Sequence, residues 1–435
     1  MSDLLAPWQP TADDPFDLAK VGHLLRRGGF SASLPTRREL VRAGPLAAVA
    51  HLATPVAEAP TSLQQLLAFD DIQRVRAHRV WLVLHGPQQL QLRLSAFWHD
   101  HFATSDKKLQ DPRAMALQQA TFDRFGGGAF DELLAAMCRD PALLRWLDND
   151  VNTKRQPNEN FARELFELFT LGRGAYSEAD IAAAARAFTG WHVRDGRFHF
   201  AAHLHDEGDK QLFGERGPFG GDEVIARTVV RRESAEFLAA KWLRWFVHPE
   251  PSREEVDALA AAYIANGRHV GATIQQLLRS QVFFSPRAYR SKVKGPADFV
   301  LGTVRSLGGR AKPVRLAATM VSLGEAWLEP PSVEGWHRER AWLSPAAWLL
   351  RSNFVADLLA DRGYGLQPAP RTLMPQSKRP VDLAKAACLL LLDAVPARAT
   401  LESLTAVAAA QGDDVDAAAA AVLHAVACLP EYQLL

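Results

Sequence analysis

Hydrophobic positions recur at spacings of three and four residues along most of the chain, with polar residues between them. This period is typical of amphipathic helices. The periodic segments are 35–52, 72–85, 88–101, 131–139, 157–171, 178–189, 233–247, 253–266, 273–280 and 296–307. Strand signals are scarce, except at 191–200, where WHV and RFHF flank Asp195-Gly196, a dipeptide that favours a tight hairpin turn. We therefore predict an all-α fold, a large multi-helix body with a small β-hairpin insertion near 191–200 and a C-terminal helical cap.

A proline-rich stretch with little periodicity, residues 364–381, interrupts this pattern and predicts a linker. The Ala-rich segment after it predicts short helices whose apolar faces must pack on another unit, because so short a unit is marginal alone. The predicted organisation is a main helical domain at 1–363 that carries the site, a linker at 364–381 and a docked cap at 382–435.

Composition places the chain among ordinary globular proteins, with 48% hydrophobic and 23% charged residues in 435. The chain has 50 Lys plus Arg and 49 Asp plus Glu, so no overall charge favours binding to nucleic acid or to an anionic membrane surface.

Cys138, Cys388 and Cys428 are far apart, which predicts buried thiols rather than a disulfide framework or a CxxC metal site. The N-terminal residues lack the pattern of a signal peptide, and no apolar run reaches the roughly 20 residues of a membrane span. We expect a cytoplasmic protein without a transmembrane helix.

The segment 157–171, PNENFARELFELFTL, predicts a well-bounded helix, with Pro157 in its first turn, Asn158 as its cap and Gly172 as its terminator. One side is apolar. The other side carries three carboxylates, a guanidinium and an amide, namely Glu159, Asn160, Arg163, Glu164 and Glu167.

Two interpretations of this polar face stay open. In one, it is solvated, and Arg163 bridges Glu159 and Glu167 at four-residue spacings. In the other, Glu164 and Glu167 converge on a hard cation or act as acid and base, with Arg163 orienting them. Spacing alone does not separate the two.

Two histidines and an aspartate stand between large aromatics in the segment 97–102, FWHDHF. If the helix continues through His101, that ring points inward with Trp98, and His99 projects to another side, so the two rings do not bind one ion. If the helix ends near Trp98, an extended turn lets both rings point the same way as paired ligands. Packed or capping histidines are the alternative to ligands.

Downstream, His205, Asp206 and further acids precede Lys210 in the loop HDEGDK. Imidazole with carboxylate suits a transition metal, whereas the carboxylates alone would suit calcium or magnesium. Trp98, Trp191 and Trp336 each adjoin a Gly, His or Glu and are candidates for a pocket wall. A phosphate-binding GxxxxGK[ST] motif is absent, so no nucleotide is expected.

Long stretches of this sequence closely resemble the bacterial domain-of-unknown-function 1800 family. The central match is residues 149–191 followed by HDEGDKQLFG, and it is joined by LLRRGGFSA at 24–32, FWHDHFATSDKK at 97–108, YRSKVKGPADFVLGTVRSLG at 289–308 and PPSVEGW at 330–336. The positions that the resemblance singles out are His99, His101, Asn158, Glu159, Asn160, Arg163, Glu164, Glu167, Thr189, Gly190, Trp191, His205, Asp206, Lys210, Gly335 and Trp336. Members are often exported, whereas this chain shows no export signal. The resemblance implies a site without naming a reaction.

The leading hypothesis is a metal-dependent oxidoreductase of unknown substrate, because N and O ligands without thiolate suit iron, copper or manganese, with calcium as an alternative. The predicted metal ligands are His99, His101, Glu164, Glu167, His205 and Asp206. The predicted catalytic residues are Glu159, Arg163, Trp191 and Lys210, and the predicted cofactor-binding residues are Trp98, Asn158, Asn160 and Trp336. The expected partner is a small-molecule or peptide substrate.

Two rival hypotheses stay open beside it. One is a metal-dependent hydrolase, since a GxSxG elbow and a persuasive Cys/His pair are absent from the sequence. The other is a non-catalytic binding or assembly protein that docks a protein partner on the same polar and Trp-rich surface.

Overall fold

The computed structural model describes residues 3–54, 65, 68–336, 339–377 and 379–435. Its α-helices in the first half are α1 Leu18–Gly28, α2 Leu34–Ala43, α3 Pro45–Leu52, α4 Ile72–His85, α5 Gln89–Phe102, α6 Asp106–Leu109, α7 Pro112–Phe125, α8 Phe130–Cys138, α9 Pro141–Trp146, α10 Asn160–Glu164 and α11 Glu178–Ala187. Those in the second half are α12 Gly221–Val229, α13 Arg232–Phe246, α14 Arg253–Ala265, α15 Val270–Leu277, α16 Pro296–Ser306, α17 Pro313–Ser322, α18 Pro345–Leu359, α19 Pro380–Leu391, α20 Arg398–Ala409 and α21 Val415–Ala427. A π-helix covers Leu165–Thr170. Short 3₁₀ turns lie at Asp3–Leu5, Asn149–Val151, Ala202–Leu204, Glu339–Leu343, Pro370–Leu373 and Pro430–Gln433.

Local sequence signals explain many helix starts. Ser177 accepts a hydrogen bond from the backbone of Asp180, whose side chain bonds back to the Ser177 backbone, so a full capping box opens α11. The Ser344 side chain accepts from the backbone N–H of Ala347 and so caps α18, with Pro345 in the first turn, where its missing N–H is not needed.

The predicted hairpin is confirmed as β1 Trp191–Arg194 and β2 Arg197–Phe200, paired antiparallel with Trp191 opposite Phe200. Asp195 and Gly196 take the positive φ values of 52° and 70° that a type I′ turn requires. A second small hairpin, β3 Lys210–Leu212 and β4 Glu215–Gly217, was not predicted, because its strands are only three residues long. The mostly helical fold with a small hairpin insertion is therefore confirmed.

Two hydrophobic cores hold the helices. The first draws on residues from Trp8 to Ala288, and the second on Phe30, parts of 75–142 and residues from Ala297 to Tyr432. The predicted linker contributes buried Tyr364, Leu366 and Met374 to the second core. The helices α19, α20 and α21 pack on one another, and α21 also packs on α18.

None of the helices in the described ranges is long and apolar enough to cross a membrane.

Candidate functional site

The FWHDHF segment forms the last turns of α5, and the helix continues through His101. His99, Asp100 and His101 are all buried, and each contacts a different part of the chain. The backbone N–H of Leu328 donates to His99 Nε2 at 2.8 Å, and that of Trp336 donates to Asp100 Oδ1 at 2.9 Å. The two histidine rings therefore point to different surroundings, as the helical alternative predicts.

His101 binds the π-helix together with Lys241 of α13. Its Nε2 donates to the carbonyl of Phe169 at 3.0 Å, while Lys241 Nζ donates to the carbonyl of Leu168 at 2.9 Å and to His101 Nδ1 at 3.1 Å. Burial, and then the neighbouring Lys241, hold the pKa of His101 well below its usual value. Burial, and then Arg244, lower the pKa of Lys241 to about 7. Both ring nitrogens of His101 are thus engaged, and its ring is neutral.

His99 is also neutral, because burial and then Arg79 and Arg76 lower its pKa to about 3. Its Nδ1 has no hydrogen-bond partner among the described residues. The His99 ring meets Trp336 edge to face, with centroids 5.1 Å apart.

The polar face of the central helix is largely occupied by ion pairs. Arg163 donates to Glu178 at 2.7 Å and to Glu159 at 3.2 Å. Glu167 instead accepts from Arg173 Nε at 2.6 Å and from the Tyr176 hydroxyl at 3.3 Å.

Glu164 differs from these neighbours. Its side chain is half-buried, and the structure shows no hydrogen bond to its carboxyl group within the described ranges. Burial, and then the carboxylates of Glu167 and Glu334, raise the pKa of Glu164. Glu334 belongs to the PPSVEGW segment, so the charge of that segment acts on the central helix.

The asparagines predicted to bind a cofactor tie the start of the central helix to the preceding turn. Asn158 Nδ2 donates to the carbonyl of Asp148 at 3.0 Å, and its Oδ1 accepts from the backbone N–H of Asn160 at 3.0 Å. Asn160 Nδ2 donates to the carbonyl of Leu147 at 3.1 Å.

The HDEGDK loop is held on α11. Arg186 binds both carboxylate oxygens of Asp206, at 2.7 and 3.1 Å, and lowers the pKa of that carboxyl. His205 Nδ1 donates to the carbonyl of Thr189 at 2.8 Å, and Thr189 Oγ1 accepts from the Asp206 backbone at 2.8 Å. Lys210 is buried and its Nζ donates to the carbonyl of Asp206 at 2.6 Å. These contacts fold the loop.

The tryptophans predicted to wall a pocket have different surroundings. Trp98 is fully buried, and its Nε1 donates to the carbonyl of Gly126 at 2.7 Å. Trp191 packs against Phe188, with Arg139 4.6 Å above its ring. Trp336 lines a cleft.

The structure thus brings together three predicted segments, 97–102, the C-terminal half of 157–171 and 330–336. The 205–210 loop instead contacts α11, the turn after it at Thr189, and Arg216 of β4. Within the described ranges, no group of three or more His, Cys, Asp or Glu side chains is arranged to hold a metal ion. The metal-ligand roles of His99, His101, Glu164, Glu167, His205 and Asp206 stay predictions.

A cleft of about 80 Å³ lies where the two cores meet, with Trp245 packed on the first core and Trp336 on the second. Aromatic rings and charged groups share its lining. The aromatic side chains are Phe30, Trp245, Trp327, Trp336 and Trp342, and the charged ones are Arg93, Asp100, Lys292, Asp298, Glu325 and Glu339. We refer to it as the tryptophan-walled cleft.

Glu325 is a carboxyl of this cleft whose pKa is strongly raised. Its Oε2 accepts from the backbone N–H of Ala297 at 2.8 Å, and its Oε1 accepts from Trp327 Nε1 at 2.9 Å. Burial, and then the neighbouring Asp298, raise the pKa of Glu325 to about 7 in spite of these hydrogen bonds. A Cβ at Gly295 would stand 3.2 Å from Glu325 Oε2 and 3.8 Å from Asp298 Oδ2, so the missing side chain leaves both carboxylates open to the cleft.

Lys292 is a second residue of the cleft with a strongly altered pKa. Its Nζ donates to the carbonyl of Trp245 at 2.9 Å and to that of Arg244. Burial, and then Arg27, lower the pKa of Lys292 to about 7. An acid and a base that both titrate near neutral pH therefore line the same cleft.

Arg93 is engaged by the protein itself. It pairs with Asp298 and lies 5.0 Å from the ring of Phe30 and 5.1 Å from that of Trp245. These contacts fix the carboxylate of Asp298 at the edge of the cleft.

Sequence reasoning missed Arg93, Lys292, Asp298 and Glu325. Two of them, Lys292 and Asp298, lie inside the 289–308 segment, but a lysine or an aspartate in one sequence carries no sign of its burial. The family resemblance could have pointed to the cleft, because four of its segments contribute side chains to the lining. These segments are 24–32, 97–108, 289–308 and 330–336.

Comparison with known proteins identifies the family of the chain. No curated protein and no solved structure matches this chain. The model of a family of proteins of unknown function, DUF1800, matches residues 23–434, which span all the segments that meet around the cleft and the central helix. The chain belongs to the DUF1800 family.

Proposed function

We propose that this chain is an enzyme that performs general acid–base catalysis on a small polar substrate in the tryptophan-walled cleft. Glu325 is the proposed proton-transfer group and Lys292 its complementary base. The observation that carries the proposal is the presence of these two groups, both with pKa values near 7, in one cleft lined by four segments of the family resemblance. Groups that titrate near the working pH are the most effective proton donors and acceptors.

The surroundings of Glu325 suit this role. Its hydrogen bonds from Ala297 and Trp327 hold the carboxyl in one orientation, which proton transfer to a bound substrate requires. Trp336 and Trp342 present flat apolar surface beside it, which would exclude water from a substrate seated there.

The test is turnover of polar metabolites by three proteins, the wild type, Glu325→Gln and the control Glu402→Gln. Glu402 is exposed and pairs with Arg398 on the same helix, and it does not line the cleft, so its loss leaves the cleft intact. Polar metabolite extracts are incubated with each protein and analysed by mass spectrometry. We expect a compound that the wild type and the control consume, and that Glu325→Gln consumes at least about a hundredfold more slowly.

Equal turnover by Glu325→Gln would refute the role of Glu325. Binding of a metabolite, seen as a change in tryptophan fluorescence, with no turnover by any of the three proteins would instead favour the non-catalytic binding protein.

A metal-dependent oxidoreductase or hydrolase is the second proposal, favoured by the half-buried side chain of Glu164, for which the structure shows no hydrogen bond within the described ranges. Glu167 and Glu334 both raise the pKa of Glu164, and a bound cation would relieve that repulsion. The predicted metal is iron, copper or manganese, with calcium as the alternative.

A further inference from the structure

A second group of reactive side chains lies at the end of α21, away from the tryptophan-walled cleft. Cys428 follows the helix four residues after His424, so both side chains lie on one face of its last turn. They meet Ser352 of α18. The Cys428 thiol lies 3.5 Å from Ser352 Oγ and 3.7 Å from His424 Nε2. That Nε2 also lies 3.1 Å from Ser352 Oγ and 3.2 Å from the Ser352 carbonyl, so a protonated ring can donate through Nε2 to this carbonyl and to a Cys428 thiolate.

The three cysteines of the chain differ in their surroundings. Cys138 and Cys388 are fully buried, and burial raises the pKa of the Cys138 thiol far above its usual value and that of Cys388 to about 11. Cys428 is only half-buried. Burial alone would raise its pKa, but the hydrogen bonds with His424 and Ser352 outweigh burial and lower it.

His424 changes in the complementary direction, because the hydrogen bond with Cys428 raises the pKa of its imidazole. The C-terminal end of a helix carries partial negative charge and disfavours a thiolate there, so the imidazole of His424 is needed to stabilise the Cys428 thiolate. A thiol beside a histidine that accepts its proton is the arrangement that activates cysteine nucleophiles.

We propose that Cys428, with His424 as proton acceptor and Ser352 as positioning residue, is a nucleophilic thiol that hydroperoxides and other small electrophiles modify. In the reaction with a hydroperoxide, the Cys428 sulfur attacks one peroxide oxygen, so an S–O bond forms and the O–O bond breaks. The leaving oxygen takes the proton held by His424, giving a sulfenic acid and water or an alcohol. Sulfur is oxidised by two electrons and the peroxide is reduced. This site is independent of the proposed function, because none of its three residues lines the cleft.

The test is the pH dependence of alkylation by iodoacetamide, followed for each cysteine by mass spectrometry of the full chain. The thiolate displaces iodide from carbon, so the rate reports the thiolate fraction. We expect Cys428 to react at least about tenfold faster than Cys138 and Cys388 at neutral pH, with a midpoint below the value of about 8.5 for a free cysteine. The two buried cysteines serve as internal controls.

Substitution of the histidine separates this proposal from simple exposure. We expect His424→Gln to raise the midpoint for Cys428 by about one pH unit. The rate at neutral pH then falls about threefold, since a tenfold smaller thiolate fraction is partly offset by a more nucleophilic thiolate. Ser352→Ala, which keeps both titrating groups, should raise the midpoint by less. An unchanged midpoint in His424→Gln would overturn the proposal.

Loss of folding would be visible as alkylation of Cys138 and Cys388. In that case the proposal is tested with Ser352→Ala instead. An unchanged midpoint for the alkylation of Cys428 in that variant would overturn the proposal. After treatment with hydrogen peroxide, dimedone should label Cys428 in the wild type and not in Cys428→Ser. No label at Cys428 would overturn its reaction with peroxides.

Discussion

The raised pKa of Glu325 allows a quantitative prediction of protein stability. It concerns the unfolding free energies of Glu325→Gln and the wild type at pH 5 and pH 8.5. The structure raises the pKa of Glu325 from an ordinary value of 4.5 to about 7, chiefly by burial. A raised pKa means that folding favours the protonated acid. The stabilising contribution of this group is therefore complete below about pH 4.5 and is lost as the pH rises through 7.

The magnitude follows from that difference. The gap between the two pKa values corresponds to roughly 3 kcal/mol of unfolding free energy as an upper limit, of which about 2.5 kcal/mol is lost between pH 5 and pH 8.5. A glutamine cannot ionise, so it does not suffer this loss. Its amide N–H₂ would face a donor, either the Ala297 N–H or Trp327 Nε1, at a cost of about 1–3 kcal/mol that is the same at both pH values.

Urea unfolding of both proteins at each pH measures the effect. The constant cost of the amide cancels in the comparison, so Glu325→Gln should become more stable relative to the wild type by about 2.5 kcal/mol on going from pH 5 to pH 8.5. The exposed Glu402→Gln should show a change below about 0.5 kcal/mol. The same stability difference at both pH values would show that Glu325 ionises normally, and the acid–base proposal would lose its main support.

Two further predictions concern the neighbouring segments. Gly335 has φ +90°, and a Cβ there would stand 2.3 Å from Asp100 Oδ1, whereas Gly174 has φ +88° with open space around it. Gly335→Ala should therefore lower the unfolding free energy by at least about 2 kcal/mol more than Gly174→Ala, and equal losses in thermal or urea unfolding would contradict the close approach. The metal proposal predicts about one equivalent of metal in protein purified without chelator, lost in Glu164→Gln and in Glu167→Gln and accompanied by a lower Tm after EDTA. Less than about a tenth of an equivalent, with an unchanged Tm, would count against it.

Local signals in the sequence were sufficient for the helical fold and for the hairpin. Asp195-Gly196 has the turn chemistry that its positive φ values require, and no distant residue is needed to explain it. Helix caps such as Ser177 act over three residues, so their signals are also local.

The central helix shows where local reasoning ends. The pattern predicts one α-helix over 157–171, but α10 ends at Glu164 and a π-helix follows at Leu165–Thr170. The carbonyls of Leu168 and Phe169 in that π-helix are bound by Lys241 and His101, which come from other helices. Hydrophobic spacing carries no information about such partners, so it could not predict the change of helix type.

The sequence by itself determined the helical class, the hairpin, the family resemblance and the segments that matter most. Only the tertiary structure decided what their side chains do. In that structure, His205, Asp206 and Lys210 make hydrogen bonds that hold their loop in place. Lys292, Asp298 and Glu325 line one cleft. The reason is that both the burial of a side chain and its place in a cleft depend on contacts between residues that are distant in sequence. Burial in turn shifts the pKa values of the titratable groups.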